Sequence, residues 1–102
     1  MPPQPNPPNR VQPPADLEPA GREVFVTLAD LAARAAALRG VALIPGDGIL
    51  LARVAQLVVL SRQRAEAGKL GDAVVLGDLA QELAGNYWLR VPATLLPTVG
   101  RA

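Results

Sequence analysis

Neither cysteine nor histidine occurs among the 102 residues of this chain. Without cysteine there are no disulfides, thiolate nucleophiles, iron–sulfur clusters or thiolate zinc sites. Without histidine the commonest metal ligand is missing, as is the one side chain that ordinarily titrates near neutrality. Ser61 is the sole serine, and with no histidine a Ser-His-Asp arrangement cannot form. Aromatic residues are scarce: Phe25, Tyr87 and Trp88 complete the set. No charge excess exists either. Ten basic and nine acidic residues leave a formal charge of +1, unlike the large positive balance of an electrostatic nucleic-acid binder. The longest apolar stretch, residues 49–60, is interrupted by Arg53 and Gln56 and falls well short of the roughly 20 residues that span a bilayer. No charged and apolar leader of the secretory type opens the chain. The expectation is a soluble, cytoplasmic protein that is not an enzyme, with no catalytic residue, no metal and no cofactor. The rival enzymatic reading rests on Asp72, Asp78 and Glu82. Asp78 and Glu82 share a helical face at i,i+4, where like charges are more often simply solvated.

Proline is abundant at one end. Residues 1–20 hold eight of the eleven prolines, with Asn and Gln between them. Proline removes a backbone donor and clashes with a preceding helical turn, and the segment has few apolar side chains to offset ordering. It reads as a disordered or extended arm, reaching roughly 60 Å at about 3.1 Å per residue. Residues 21–102 form the remaining small domain. A domain of that size buries only about 60% of its unfolded surface, which favours oligomerisation or a stabilising partner.

Within the domain the spacing predicts an all-α fold, a small bundle of about three helices. Residues 23–26 read as a short extended run. Thr27 with Asp30 three residues on resembles a capping pair, so the first helix is expected over 28–39, with Leu28, Leu31, Ala32, Ala35 and Leu38 on one face and Gly40 as the C′ residue. Pro45-Gly46-Asp47-Gly48 reads as a turn, with Asp47 capping the next helix rather than binding phosphate. That second helix is expected over 49–67. Leu50, Leu51, Val54, Leu57, Val58 and Ala65 make its main apolar face. Two readings of the third element stand open: an extended run over 73–76 followed by a helix capped by Asp78, or one long helix starting at Asp72 with Gly77 inside. Both place helix over 79–89, ended by Pro92.

The second helix carries a further stripe of Ile49, Arg53, Gln56, Leu60 and Arg64. Interfaces favour Arg beside apolar anchors, so Arg53, Leu60 and Arg64 are candidate contact residues. Tyr87, Trp88 and Arg90 join them, since Trp, Tyr and Arg dominate interface energetics; the competing reading has both rings roofing the core. The partner expected is another protein or further copies of the chain, with no membrane involved. Nucleic acid is the less favoured alternative. Arg53, Arg62, Arg64 and Lys69 concentrate positive charge on the second helix and its end, but Arg62 lies on a different side from Arg53 and Arg64 with Glu66 intervening, and a helix-turn-helix would need a recognition helix that includes residues 86–90.

Three stretches resemble phage head–tail connector (neck adaptor) proteins: Val26-Thr27-Leu28-Ala29-Asp30-Leu31 at a helix start, the acidic turn at Asp47 before a long second helix, and Leu83-Ala84-Gly85-Asn86-Tyr87-Trp88-Leu89-Arg90 followed by Leu95-Leu96-Pro97-Thr98-Val99-Gly100-Arg101. The proline-rich arm lies outside that pattern. The resemblance implies a ring-forming structural adaptor, located in the virion, without catalytic residues. A fainter similarity to anti-sigma regulators of flagellar genes supports a small transcription regulator as the alternative function.

Overall fold

The computed structural model describes residues 11–97. Three helices follow in order: α1 (Pro19–Leu38), α2 (Pro45–Glu66) and α3 (Leu70–Ala84), with a single 3-10 turn over Gly85–Tyr87. The fold is all-α, and no strand occurs among the described residues.

Helix α1 begins nine residues before the expected start. Val24, Phe25, Leu28, Ala29, Ala32 and Ala36 are buried on one face, so the helical period already runs through the segment read as extended. The strand-prone Val-Phe-Val run is overridden by burial: Phe25 is completely enclosed. Thr27 is no cap. It sits mid-helix, and its hydroxyl donates back to the Glu23 carbonyl at 3.3 Å. Leu38, expected on the inner face, is 90% exposed. The helix instead starts on Pro19, whose missing N–H costs nothing at the first helical position. The proline-rich segment is therefore helical from Pro19 onward. Before it, residues 11–18 lack regular structure, yet Leu17 is buried and Val11 packs against the core. The first half of the expected arm, residues 1–10, lies outside the described residues.

Helix α2 also starts on a proline. Pro45-Gly46-Asp47-Gly48 is the first helical turn, not a separate turn. Asp47 does cap, from the third position: its Oδ2 accepts from the Ile44 N–H at 2.8 Å. Both α1 and α2 end in Schellman motifs. Gly40 and Gly68 adopt left-handed φ values of 72° and 79°, and the following Val41 and Lys69 amides donate to Ala36 and Arg64 at 3.0 and 2.8 Å.

Helix α3 is one continuous helix, so 73–76 is helical and Gly77 lies inside it. Asp72 occupies its first turn without a side-chain cap bond. The helix ends at Ala84, before the expected 89, and Pro92 does not end it. Trp88 takes a left-handed conformation (φ 55°, ψ 33°) and closes the 3-10 turn. Beyond it, the Gln81 carboxamide accepts from the Val91 N–H at 2.8 Å and donates to the Val91 carbonyl at 3.1 Å. That clasp turns the chain back along α3.

Helix α2 packs against both α1 and α3, whereas α1 and α3 do not approach each other closely. The central core consists of Phe25, Leu28, Leu51, Val54 and Val58, filled in by alanines such as Ala32, Ala55 and Ala80. Apart from the Tyr87 phenol, Ser61 is the one buried polar side chain among the described residues. Its hydroxyl donates to the Ala73 carbonyl at 2.7 Å, opposite Gly77.

Candidate protein-interaction face

With α1 on one side and α3 on the other, α2 keeps a third side open. Leu51, Val54 and Val58 are buried as the periodicity predicts. Leu50, expected among them, is 43% exposed, and Leu57 is only partly buried. The second stripe lies fully on the open side: Ile49 is 64% and Leu60 41% exposed, and Arg53, Gln56 and Arg64 are exposed beside them. The structure thus places Arg53, Leu60 and Arg64 on one ridge.

A groove runs along each flank of the ridge. Between α2 and α3, a volume of about 540 Å³ is lined by Leu50, Arg53, Leu57, Leu79, Glu82 and Asn86 among others. Between α2 and the start of α1, a volume of about 310 Å³ is bounded by Gln56, Leu60 and Gln63 on one wall and by Asp16, Leu17 and Glu18 on the other. The ridge is basic and apolar; its far rims are acidic.

These charges have no ion-pair partner among the described residues. There the one ion pair joins Asp30 and Arg34 at 2.8 Å, one helical turn apart and well exposed. A pair of that kind contributes only a few tenths of a kcal/mol. Arg53 and Glu82 border the same groove without forming an ion pair.

The aromatic pair divides between core and surface. Tyr87 is 4% exposed and belongs to the core. It is thus withdrawn from any contact surface, contrary to its candidacy. Its hydroxyl is buried without a hydrogen-bond partner among the described residues. Burial, followed by the nearby negative charge of Asp47, pushes its phenol above the ordinary value of 10.0. Trp88 is 47% exposed. The Arg39 guanidinium stands 4.7 Å from its ring centroid, a cation–π contact that joins the end of α1 to the left-handed corner. Arg90 is exposed and lines a depression with Glu82 and Leu89 that adjoins the groove at Arg53, Glu82 lining both. The six candidates therefore divide among the α2 ridge, the Trp88–Arg39 corner, the buried Tyr87, and Arg90 on the far side of Glu82.

Comparison with protein-family models, curated proteins and solved structures gave no match. Asp72, Asp78 and Glu82 are all exposed, and no carboxylate among the described residues is buried. No cluster of three or more metal-ligating side chains occurs among them. Residues 86–90, needed as a recognition helix for the helix-turn-helix reading, are part of the 3-10 turn, the left-handed residue and irregular chain. No described helix is long and apolar enough to cross a membrane.

The sequence pattern missed the acidic rims. Asp16 and Glu18 lie in the proline-rich segment, where no periodicity marks them as neighbours of α2. Glu82 and the 46% exposed Leu79 share a face of α3 that Asn86 continues in the 3-10 turn. That i, i+3, i+7 spacing was a legible signal.

Proposed function

We propose that this chain is a non-enzymatic assembly adaptor that acts by protein–protein contact and works as an oligomer, with the open side of α2 as its working surface. One observation carries the reading: the central helix of the domain presents an apolar and arginine-bearing ridge to solvent, where burial on all sides would be expected. Of the roles implied by the resemblance to head–tail connector subunits, this proposal takes the assembly role.

Magnitudes set the affinity range. Covering a fully exposed Leu or Ile contributes about 1.5–3 kcal/mol. Ile49, Leu50, Leu60 and Leu79 are already roughly half covered, so each has about 1 kcal/mol left to gain. Association itself costs at least about 4 kcal/mol. A contact of this kind is weak to moderate and depends on concentration.

The test is solution mass by light scattering from micromolar to millimolar protein, for the native chain and for a double variant, Arg53→Glu with Leu60→Glu. The expected result is a discrete oligomer that dissociates in the double variant while far-ultraviolet circular dichroism stays unchanged. A native monomer at every concentration would overturn the proposal. So would an oligomer indifferent to the double variant.

A further inference from the structure

Two rows of heptad spacing flank the groove between α2 and α3. On α2, Leu50, Arg53, Leu57, Leu60 and Arg64 recur at alternating steps of three and four. On α3, Asp72, Leu76, Leu79 and Leu83 do the same, and Asn86 continues the row in the 3-10 turn. Alternating steps of three and four mark side chains that face a partner helix in a coiled coil. Neither row is covered within the subunit. The face that α3 turns inward is a different one, made of Ala73, Gly77, Ala80 and Ala84, whereas every member of the two rows is exposed or only partly buried. The charges along the groove divide by helix. Arg53 and Arg64 stand on α2, Asp72 and Glu82 on α3, all four exposed and none in an ion pair.

The two helices run antiparallel, and the Ser61 hydroxyl on the Ala73 carbonyl fixes their register. Arg53 is level with Glu82, which borders the same groove. By the same register Leu60 is level with Val75, itself 58% exposed, and Arg64 with Asp72.

We infer, on the assembly reading above, that the occupant of this groove is a second copy of the chain, related by a two-fold axis that runs along the groove, parallel to α2 and α3. Such an axis keeps each residue at its own level and exchanges the flanks, so α2 of each copy faces α3 of the other. The product is a four-helix bundle in which every neighbouring pair is antiparallel. Leu57 and Leu79 of both copies close its new core. At the edges Arg53 meets the partner's Glu82, Leu60 meets the partner's Val75 and Arg64 meets the partner's Asp72, each contact made twice. The charge pattern selects this axis. A two-fold across the helices would lay α2 on α2 and α3 on α3, setting basic helix on basic and acidic on acidic. With a net charge of only +1, two copies repel each other little at long range.

Two mixing experiments on the full chain test the arrangement. The first is read by light scattering and sedimentation. Arg53→Glu sets glutamate against the partner's Glu82, and Glu82→Arg sets arginine against the partner's Arg53. Each variant alone is expected to dimerise about tenfold or more weakly than the native chain. An equimolar mixture of the two variants pairs unlike charges at both edges, and its heterodimer is expected to come within about threefold of native strength. The second uses the absence of native cysteine. Leu60→Cys and Val75→Cys each introduce a sole thiol. Like positions lie diagonally across the bundle, too far apart for a disulfide, so the two chains oxidised together are expected to cross-link about tenfold faster than either alone.

A charge-variant mixture no stronger than its components overturns the four-helix arrangement, and so does a thiol pair that cross-links no faster together than apart. If the native oligomer nevertheless dissociates on Arg53→Glu with Leu60→Glu, the assembly reading stands with the ridge meeting a different surface. A monomer at all concentrations overturns both.

Discussion

Tyr87→Phe isolates one buried hydroxyl and gives two linked results. The ring lies in the core, and the phenol oxygen has no hydrogen-bond partner among the described residues. An unsatisfied buried polar group costs about 1–3 kcal/mol relative to solvent. Phenylalanine keeps the ring and removes the oxygen. Taking the lower end, the variant is expected to be more stable by about 1 kcal/mol at neutral pH, or about 4–8 °C in Tm for a domain of this size. The second result concerns alkaline pH. The folded state holds the phenol above its ordinary value of 10.0, first through burial and then through the charge of Asp47. Below that ordinary value the phenol is neutral in both folded and unfolded chains, and its stability contribution is fully present. Above it, the unfolded chain releases the proton while the folded chain retains it. Stability is therefore lost as pH rises toward the folded value, with a slope of up to about 1.4 kcal/mol per pH unit. The difference between the melting curves of the native chain and the Tyr87→Phe variant, followed by circular dichroism from neutral to alkaline pH, extracts this contribution from other titrations. Tyr87 is the only tyrosine, so near-ultraviolet phenolate absorbance reports it alone. A variant clearly less stable at neutral pH would show that the hydroxyl has a bonded partner. A phenolate midpoint at or below the ordinary value would refute the burial argument directly.

Further predictions concern the helices. Gly77→Ala is expected to raise stability by about 1 kcal/mol from helix propensity, because a methyl there meets Ser61 Oγ at 3.5 Å and Leu96 Cδ2 at 3.6 Å, ordinary contact distances; a fall in Tm would mean α2 and α3 have no room between them. Gly48→Ala should gain less, since its methyl would stand 3.2 Å from the Gln12 carbonyl oxygen, and amide exchange at Val11 and Gln12 should quicken. Equal gains at positions 48 and 77 would show that the N-terminal segment does not press on α2. Asp47→Ala removes the acceptor of the Ile44 amide and is expected to cost about 1 kcal/mol and to lower the Tyr87 phenol midpoint, both measurable on one sample.

Helix ends were legible in the sequence where glycine marked them, and helix starts were not. Gly40 and Gly68 signal left-handed C′ positions, and both serve as such. Pro19 and Pro45 read as breakers, yet each opens a helix, because the first helical position needs no amide donor. The left-handed Trp88 could not be read at all. The bulky side chain disfavours that conformation. It occurs beside the burial of Tyr87 and the Gln81 clasp on Val91, contacts made between segments. The ridge on α2 was legible because one helix carries all of it. Its acidic surroundings on the α1 side were not, because Asp16 and Glu18 reach it only once α1 has docked.

The placement of α2 between two helices that avoid each other bears on how the chain folds as it is made. Every helix packs on its immediate successor or predecessor, so contacts are between segments close in the chain, the condition for rapid folding. A ribosome releasing the chain from its N-terminus exposes α1 and α2 as a finished pair before α3 emerges. Ala80, Ala84, Tyr87 and Val91, arriving last, complete the core that α1 shares. Ribosome-bound chains in which Glu66 has just cleared the exit tunnel should therefore already protect the amides of α1, with the remaining protection gained when the residues through Val91 emerge.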